Sequence, residues 1–299
     1  KICLENVEFT DERVSRFAAI ANKFNSLEAL EVDVTSSKVK ENEIMEHQRE
    51  VPLAGLAKIL DAVSQLPHLR ILRLKSHYLG GTSLEVLLPC IVGIQTLELL
   101  DISANNIGPE GATALGQAMG SLTEMKDLGL SGNEIGDEGA AALAPAIGNM
   151  TQLKDLNLGE NNIGPEGATA LGQAMGSLTE MKELGLGGNE IGDEGAAALA
   201  PALGNMTQLR TLYLHVNEIG DEGAVALAPA LGNMTQLQTL GLHENSIGDA
   251  GAAALGQAMG SLTGMQKLGL PGNKIGDAGA ASLAPALEKM TQLQTLDLS

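Results

Sequence analysis

Aromatic residues are scarce in this chain of 299 residues, which contains three Phe, two Tyr and no Trp. Compact globular enzymes usually fill their cores with larger side chains, so the composition argues against that class of protein. Cysteine is scarce as well, since Cys3 and Cys90 are the only two and cannot form a disulfide scaffold. No run of about 18 apolar residues occurs, and we therefore expect no membrane-spanning helix.

Positive charge is also low. The chain has 18 Lys and Arg against 37 Asp and Glu, which gives a formal net charge of −19. A protein that binds nucleic acid or an anionic membrane needs Lys and Arg to neutralise phosphates. We therefore expect neither nucleic acid nor a membrane as the main partner.

An internal repeat of 28 residues dominates the sequence. The motif L-x-x-L-x-L-x-x-N-x-I-G returns with its Asn at Asn105, Asn133, Asn161, Asn189, Asn217, Asn245 and Asn273. An amide in such a turn can pair with backbone groups that would otherwise be buried without partners, at a cost of about 1–3 kcal/mol each. We therefore interpret these seven residues as a structural ladder rather than a catalytic set.

Three earlier positions continue the spacing without the Asn. Val7, Thr35 and His77 occupy its slot, and the interval of 42 residues from Thr35 to His77 is one period plus an insertion of 14, near 36–50. The chain then holds ten periods and an eleventh strand at its end. We expect a single domain over 1–299, with irregular repeats in 1–96 and regular repeats in 97–299.

Each period predicts one strand, one turn and one helix. In the period 153–180, residues 153–158 alternate apolar and polar, and residues 166–175 carry apolar positions at helical spacing. Stacked units of this kind form a parallel sheet with the helices on its other side, and wider helices bend the stack. We expect an α/β horseshoe solenoid with the sheet on the concave face and the helices on the convex face. Acidic residues such as Asp137 and Asp193 recur just before each helix, where we expect them to cap free N–H groups.

The pattern resembles a known repeat. The 28-residue form with G-A-x-A-L-x-x-A after the turn is similar to the ribonuclease-inhibitor type of leucine-rich repeat. The units that begin N-E-I-G-D-E-G-A at Asn133 and N-S-I-G-D-A-G-A at Asn245 resemble the C-terminal repeats of intracellular NOD-like receptors. This resemblance implies a cytoplasmic domain that senses a protein or microbial ligand, or restrains an upstream nucleotide-binding module of the same receptor in innate immunity.

Sites for chemistry are few. The chain has no G-x-x-x-x-G-K-[ST] loop for a nucleotide phosphate. His215 and His243 are one period apart with Glu244 beside His243, but a metal site needs three or four ligands in a closed arrangement. No Ser or Cys has a matching base and orienting acid. We therefore expect no enzyme activity, no metal and no cofactor.

Two internal copies indicate where the sequence was free to change. Residues 105–160 and 161–216 differ at eight of 56 positions. Counted from the first leucine of the motif, positions 3, 5, 7 and 8 face the concave side. Six of the eight differences fall on those positions: Asp127/Glu183, Ser131/Gly187, Asp155/Thr211, Asn157/Tyr213, Gly159/His215 and Glu160/Val216.

This concentration predicts that the concave face is the binding surface. Exposed sites can also simply drift, but drift should equally have altered the outer helices, where Gln117/Gln173 and Glu110/Glu166 are unchanged. Tyr213 is the only aromatic residue after Tyr78, and tyrosine supplies a large contact area at low entropic cost. The predicted partner-binding residues are Tyr213, His215, His243, Thr211, Thr239, Val216, Glu244, Asp155, Asn157, Glu183 and, in a second basic patch, Arg73 and Lys75 beside Asp101.

Three functions fit these expectations. The first is the ligand-binding domain of a NOD-like receptor, as the resemblance implies. The second is a separate inhibitor or scaffold like the ribonuclease inhibitor, although that protein is very rich in cysteine. The third is a regulator of a small GTPase. In each case, apolar residues at the ends of the solenoid are expected to cause end-to-end self-association.

Overall fold

The computed structural model describes residues 2–5, 26–33, 53–75, 79–80 and 82–298, with residues 16, 19 and 23 singly. Eleven strands form one sheet in chain order. They are β1 (Ile2–Glu5), β2 (Ala29–Asp33), β3 (Ile71–Lys75), β4 (Leu99–Asp101), β5 (Asp127–Gly129), β6 (Asp155–Asn157), β7 (Glu183–Gly185), β8 (Thr211–Tyr213), β9 (Thr239–Gly241), β10 (Lys267–Gly269) and β11 (Thr295–Asp297).

The register of the sheet reproduces the spacing of the repeat. Every pair of neighbouring strands is parallel, and Leu156 on β6 pairs with Leu184 on β7, one period later. At the step from β2 to β3, Leu30 pairs with Leu72, so the insertion does not disturb the register. The predicted insertion itself, near 36–50, lies outside the described residues, as do the slots of Val7, Thr35 and His77.

Helices alternate with the strands and pack on their neighbours along the opposite side of the sheet. In the described part they are α1 (Leu53–Ser64), α2 (Thr82–Gly93), α3 (Gly108–Met119), α4 (Gly136–Asn149), α5 (Pro165–Ala174), α6 (Gly192–Asn205), α7 (Asp221–Asn233), α8 (Asp249–Ala258) and α9 (Asp277–Leu287). The α/β solenoid predicted from the sequence is therefore confirmed.

A continuous apolar core lies between the sheet and the helices. In the period that contains β6, the three motif leucines Leu153, Leu156 and Leu158 are at most 2% exposed, and Leu171 of α5 is fully buried against them. Small residues bring the helices close together, because a β-carbon on Gly172 would collide with the backbone carbonyl of Ala198 in α6. The same set of residues recurs in each regular period, so each unit covers the core of the next.

Acidic residues at the helix starts link one repeat to the next, which differs from the prediction. Asp137 lies in the first turn of α4, and its Oδ1 accepts hydrogen bonds from the N–H groups of Gly164 and Gly167 at 2.7 Å each, where α5 begins. The cap therefore serves the following helix and not the helix that carries it. The same pair of bonds is made by Asp193, Asp221 and Asp249.

The residue at this capping position also sets the conformation of the next turn. Where Asp137 precedes it, Gly164 has an extended backbone with φ −91°. Pro109 and Pro165 stand in place of the Asp in two repeats. In the repeat that follows each proline, the corresponding glycine has a positive φ: +62° at Gly136 after Pro109, and +61° at Gly192 after Pro165. A proline side chain cannot accept a hydrogen bond, so the turn adopts a left-handed conformation that glycine permits.

Candidate partner-binding surface

The regular 28-residue spacing of the Asn residues places them in the turns directly after the strands. The Nδ2 group of Asn161 donates to the carbonyls of Leu158 and Leu130, and its Oδ1 accepts from the N–H of Asn133 at 3.0 Å. Equivalent bonds run along the described turns, and Asn105 to Asn245 are at most 7% exposed, whereas Asn273 is half-buried. These turns form a rigid border beside the concave face.

Motif position 3 forms a row of side chains across the concave face. Asp127 pairs in register with Asp155, which pairs with Glu183, and the row continues through Thr211 and Thr239. The row is therefore acidic on β5 to β7 and neutral on β8 and β9. Asp127, Asp155, Thr211 and Thr239 are partly exposed, and Glu183 is exposed.

Burial and neighbouring carboxylates change the titration of two residues in this row. Burial raises the pKa of Asp127, which reaches about 6, and the charges of Asp155 and Asp101 add to the effect while Arg73 opposes it. Burial and the charge of Glu183 likewise raise the pKa of Asp155. Lys182 and Lys154 oppose the shift of Asp155, and both carboxyl groups therefore hold a proton more readily than an exposed aspartate does.

Motif position 5 alternates between larger residues and glycine from β4 to β9. Asn157 on β6 lies beside Gly185 on β7, and Tyr213 on β8 lies beside Gly241 on β9. A β-carbon on Gly185 would be 2.8 Å from Oδ1 of Asn157, and one on Gly241 would be 3.1 Å from Cδ1 of Tyr213. Each large side chain therefore leans over the glycine of the next strand, and Tyr213 remains 41% exposed.

Tyr213 belongs to a cluster of three rings. Its ring meets the imidazole of His215 edge-on, with 5.8 Å between centroids. His215 in turn stacks on His243 with 4.3 Å between centroids and 7° between planes. The sequence predicted that the two histidines are neighbours, and the structure brings them into direct contact.

The surroundings of His215 favour its neutral form. Burial and the adjacent His243 lower its pKa, against the opposing charges of Glu244 and Glu160. Its Nδ1 atom is buried and has no hydrogen-bond partner among the described residues. The ring therefore acts mainly as an aromatic surface that supports Tyr213.

Val216 occupies a backbone conformation that valine rarely adopts. Its φ is +52°, in the left-handed region, and its side chain is 40% exposed. The same motif position has positive φ in the neighbouring repeats, at Gly188 and Glu244, and glycine also fills it at Gly272. A left-handed conformation costs an L-residue about 1–2 kcal/mol, and more for a β-branched one. The scaffold thus tolerates a strained residue that it does not require.

An open cleft of about 350 Å³ lies between the turns that follow β7, β8 and β9. Its wall includes the exposed side chains of Val216, Glu190, Glu218 and Glu244. Within the described part, the residues that line it include no Lys or Arg. The cleft is therefore an acidic recess beside the ring cluster, and its volume is at the lower end of the range of about 300–1,000 Å³ for ligand sites.

The predicted basic patch is placed only in part. Arg73 on β3 lies beside Asp101 on β4 in register and is partly exposed. Lys75 is the last residue of β3 and pairs with Asp33, but its side chain lies outside the described part. The patch is separated from Tyr213 by four strands, so the two groups of predicted residues form two distinct regions of the concave face.

Comparison with known proteins agrees with this geometry. The family model described as Leucine Rich repeat matches the segments 93–116, 122–144, 149–172, 178–200, 205–228 and 264–284. The fold is a leucine-rich-repeat solenoid. Comparison with curated proteins gives no match.

Two solved structures show the same kind of fold. The crystal structure of internalin C2 from Listeria monocytogenes str. 4b F2365 is 21% identical with a TM-score of 0.52, over 95% of this chain and 92% of that chain. The crystal structure of a TDR receptor is 19% identical with a TM-score of 0.50, over 81% of this chain. The leucine-rich-repeat chain spans 40% of the length of that receptor chain.

Two other kinds of feature are absent from the described residues of the leucine-rich-repeat domain. No group of three or more His, Cys, Asp and Glu is arranged there to hold a metal ion. No helix within the same residues combines the length and the apolar character needed to cross a membrane.

Two features of this surface escaped the sequence analysis. The strain at Val216 could have been anticipated, because three of its equivalents are Gly132, Gly188 and Gly272, and a glycine that recurs in a turn indicates positive φ. The cleft could not be predicted from the sequence in this way, because its existence depends on the distances between the turns of three neighbouring repeats.

Proposed function

We propose that this leucine-rich-repeat domain binds a protein partner through its concave face, with the Tyr213 cluster at the centre of the contact. The cluster consists of Tyr213, His215, His243 and Val216. The supporting observation is that three of the eight differences between the two internal copies, Asn157/Tyr213, Gly159/His215 and Glu160/Val216, lie in this cluster. An exposed tyrosine on a rigid support is a frequent anchor of protein interfaces.

The rigid support is part of the argument. His215 and His243 fix the orientation of Tyr213, so little side-chain entropy is lost when a partner binds. Leucine-rich-repeat domains generally bind protein partners, and the sheet offers a continuous surface for this. We propose no catalytic step, metal or cofactor for this domain.

We further propose that the domain works in the cytoplasm as the sensing and autoinhibitory part of a NOD-like innate immune receptor, as a single unit over 1–299. The units around Asn133 and Asn245 support this through their resemblance to the repeats of those receptors. An upstream P-loop module in the full-length gene would support the receptor role, and a gene that encodes only repeats would contradict it.

Affinity capture from a cytosolic extract tests the binding surface. The parent domain is compared with Tyr213→Ala and with Val225→Ala, a control that removes an exposed valine from the convex helix α7. We expect a specific protein to be retained by the parent and the control and lost by Tyr213→Ala. Equal capture by all three proteins would contradict a role for the Tyr213 cluster.

A further inference from the structure

The side chain of Val216 has no role in the fold that explains it. It is exposed and strained; glycine fills the same slot in three other repeats, and Ala104, Glu160 and Glu244 fill it in three more, so valine is its only large apolar occupant in the regular repeats. Valine is therefore best explained by what it presents to a partner. It forms the apolar part of the wall of the cleft described above, next to the exposed carboxylates of Glu190, Glu218 and Glu244.

Together these groups have the chemistry of a receptor for a long basic side chain. An arginine has an apolar stem and a planar guanidinium with five N–H donors that match carboxylate oxygens. The wall offers an apolar surface for the stem and three carboxylates for the guanidinium. The formal net charge of −19 adds a long-range attraction toward a basic partner.

We infer that the cleft between the turns after β7, β8 and β9 binds an arginine side chain from the partner, with its stem against Val216 and its guanidinium among Glu190, Glu218 and Glu244. This inference rests on the proposed function, because it names the partner's chemistry at the same end of the concave face. The remainder of the partner segment then lies along the sheet toward Tyr213.

A pair of blocked peptides provides the probe. Acetyl-Leu-Arg-Leu-amide is compared with the same peptide carrying citrulline, which keeps the shape of arginine but has no charge. Each is titrated into the ¹⁵N-labelled domain and followed by amide shifts in NMR spectra. We expect saturable shifts at Val216, Glu218, Glu244 and Ser246, and binding about tenfold weaker for the citrulline peptide, since charged hydrogen bonds are lost.

Matched variants separate this site from the general acidity of the domain. Glu218→Gln removes a carboxylate from the cleft, and Glu134→Gln removes one from the same motif position three repeats away. Val216→Gly removes the apolar wall in a slot that tolerates glycine, and Val225→Ala is its control. We expect the two cleft variants to weaken binding of the arginine peptide about threefold or more, and the two controls to leave it within twofold.

Three results decide the matter. Equal binding of the arginine and citrulline peptides would overturn the inference, and so would equal losses for Glu218→Gln and Glu134→Gln. If either occurs while Tyr213→Ala still abolishes capture of the protein partner, the arginine site is wrong and the proposed function stands. Capture that is unaffected by Tyr213→Ala would overturn the proposed function itself.

Discussion

The imidazole ring of His215 lies over Gly187, in the space that a β-carbon at residue 187 would occupy. The two residues are one repeat apart. In the earlier internal copy, the same two positions hold Gly159 and Ser131, so the bulkier side chain has moved from one strand to the next. We therefore expect these two differences between the copies to be energetically coupled.

This coupling predicts the effect of exchanging the residues. Gly187→Ser should push the His215 ring out of its stack with His243 and destabilise the domain by about 1 kcal/mol. Adding His215→Gly, as in the other copy, should recover most of that loss. A double-mutant cycle in urea measures the coupling, which we expect to be at least about 0.5 kcal/mol. Additive effects would show that the two positions are independent.

Val216→Gly should stabilise the domain although it removes an apolar side chain. Relief of the left-handed strain is worth about 1–2 kcal/mol, and the greater freedom of glycine in the unfolded chain offsets about 0.4–1 kcal/mol of it. We expect a net gain of up to about 1 kcal/mol in the free energy of unfolding, measured by urea denaturation. Val225→Ala lacks this relief, and an equal gain in that control would contradict the account.

Asp127→Asn should stabilise the domain at pH 7 and lose this advantage in acid. The pKa of Asp127 is raised from 3.8 to about 6, so the folded state keeps a proton between those values that the unfolded state has released. Raising the pH through this window therefore destabilises the parent. Because Asn cannot ionise, we expect a gain of about 1 kcal/mol at pH 7, after allowance for solvent screening, and none below about pH 4.

The control for this pH dependence is Glu180→Gln, which removes an exposed carboxylate from the turn that precedes β7. It should alter stability little at either pH. Unfolding curves at pH 4, 5, 6 and 7 provide the comparison, and a constant difference between Asp127→Asn and the parent would show that Asp127 titrates normally.

Asp193→Ala should weaken the contact between two repeats. The Oδ1 atom of Asp193 accepts hydrogen bonds from Gly220 and Gly223 at the start of α7, so its removal leaves two N–H groups without their acceptor. We expect a loss of about 1–2 kcal/mol in urea denaturation. Asp277→Ala is the matched control at the same motif position, where the side chain is exposed, and it should cost much less.

Leu296 should control self-association. It is 42% exposed on β11, whereas Leu268 at the same motif position on β10 is 1% exposed. We expect the parent to form larger species as its concentration rises, and Leu296→Lys to suppress them in light scattering. Val225→Lys on the convex side should not, and a parent that stays monomeric at high concentration would contradict the prediction.

The sequence was sufficient to predict the sheet, because the period of 28 residues fixes both the strands and their register. It also placed His215 beside His243, since residues one period apart lie on adjacent strands. It did not predict that the rings stack, because stacking depends on the space that Gly187 leaves and on side-chain torsions. The direction of the Asp137 cap was missed for a similar reason, since an acidic residue near a helix start has the same sequence pattern whichever helix it caps.

The aspartate caps and the Asn ladder determine which duplications of repeats this fold can accept. Each turn takes its hydrogen-bond acceptors from the unit that precedes or follows it, so a whole copied unit meets the same donors and acceptors as the original. Copying two units at once also preserves the alternation of large residues and glycine at motif position 5. Duplication of 56 residues therefore lengthens the surface without a new folding problem, and later point mutations can change one copy while the other keeps the original residues.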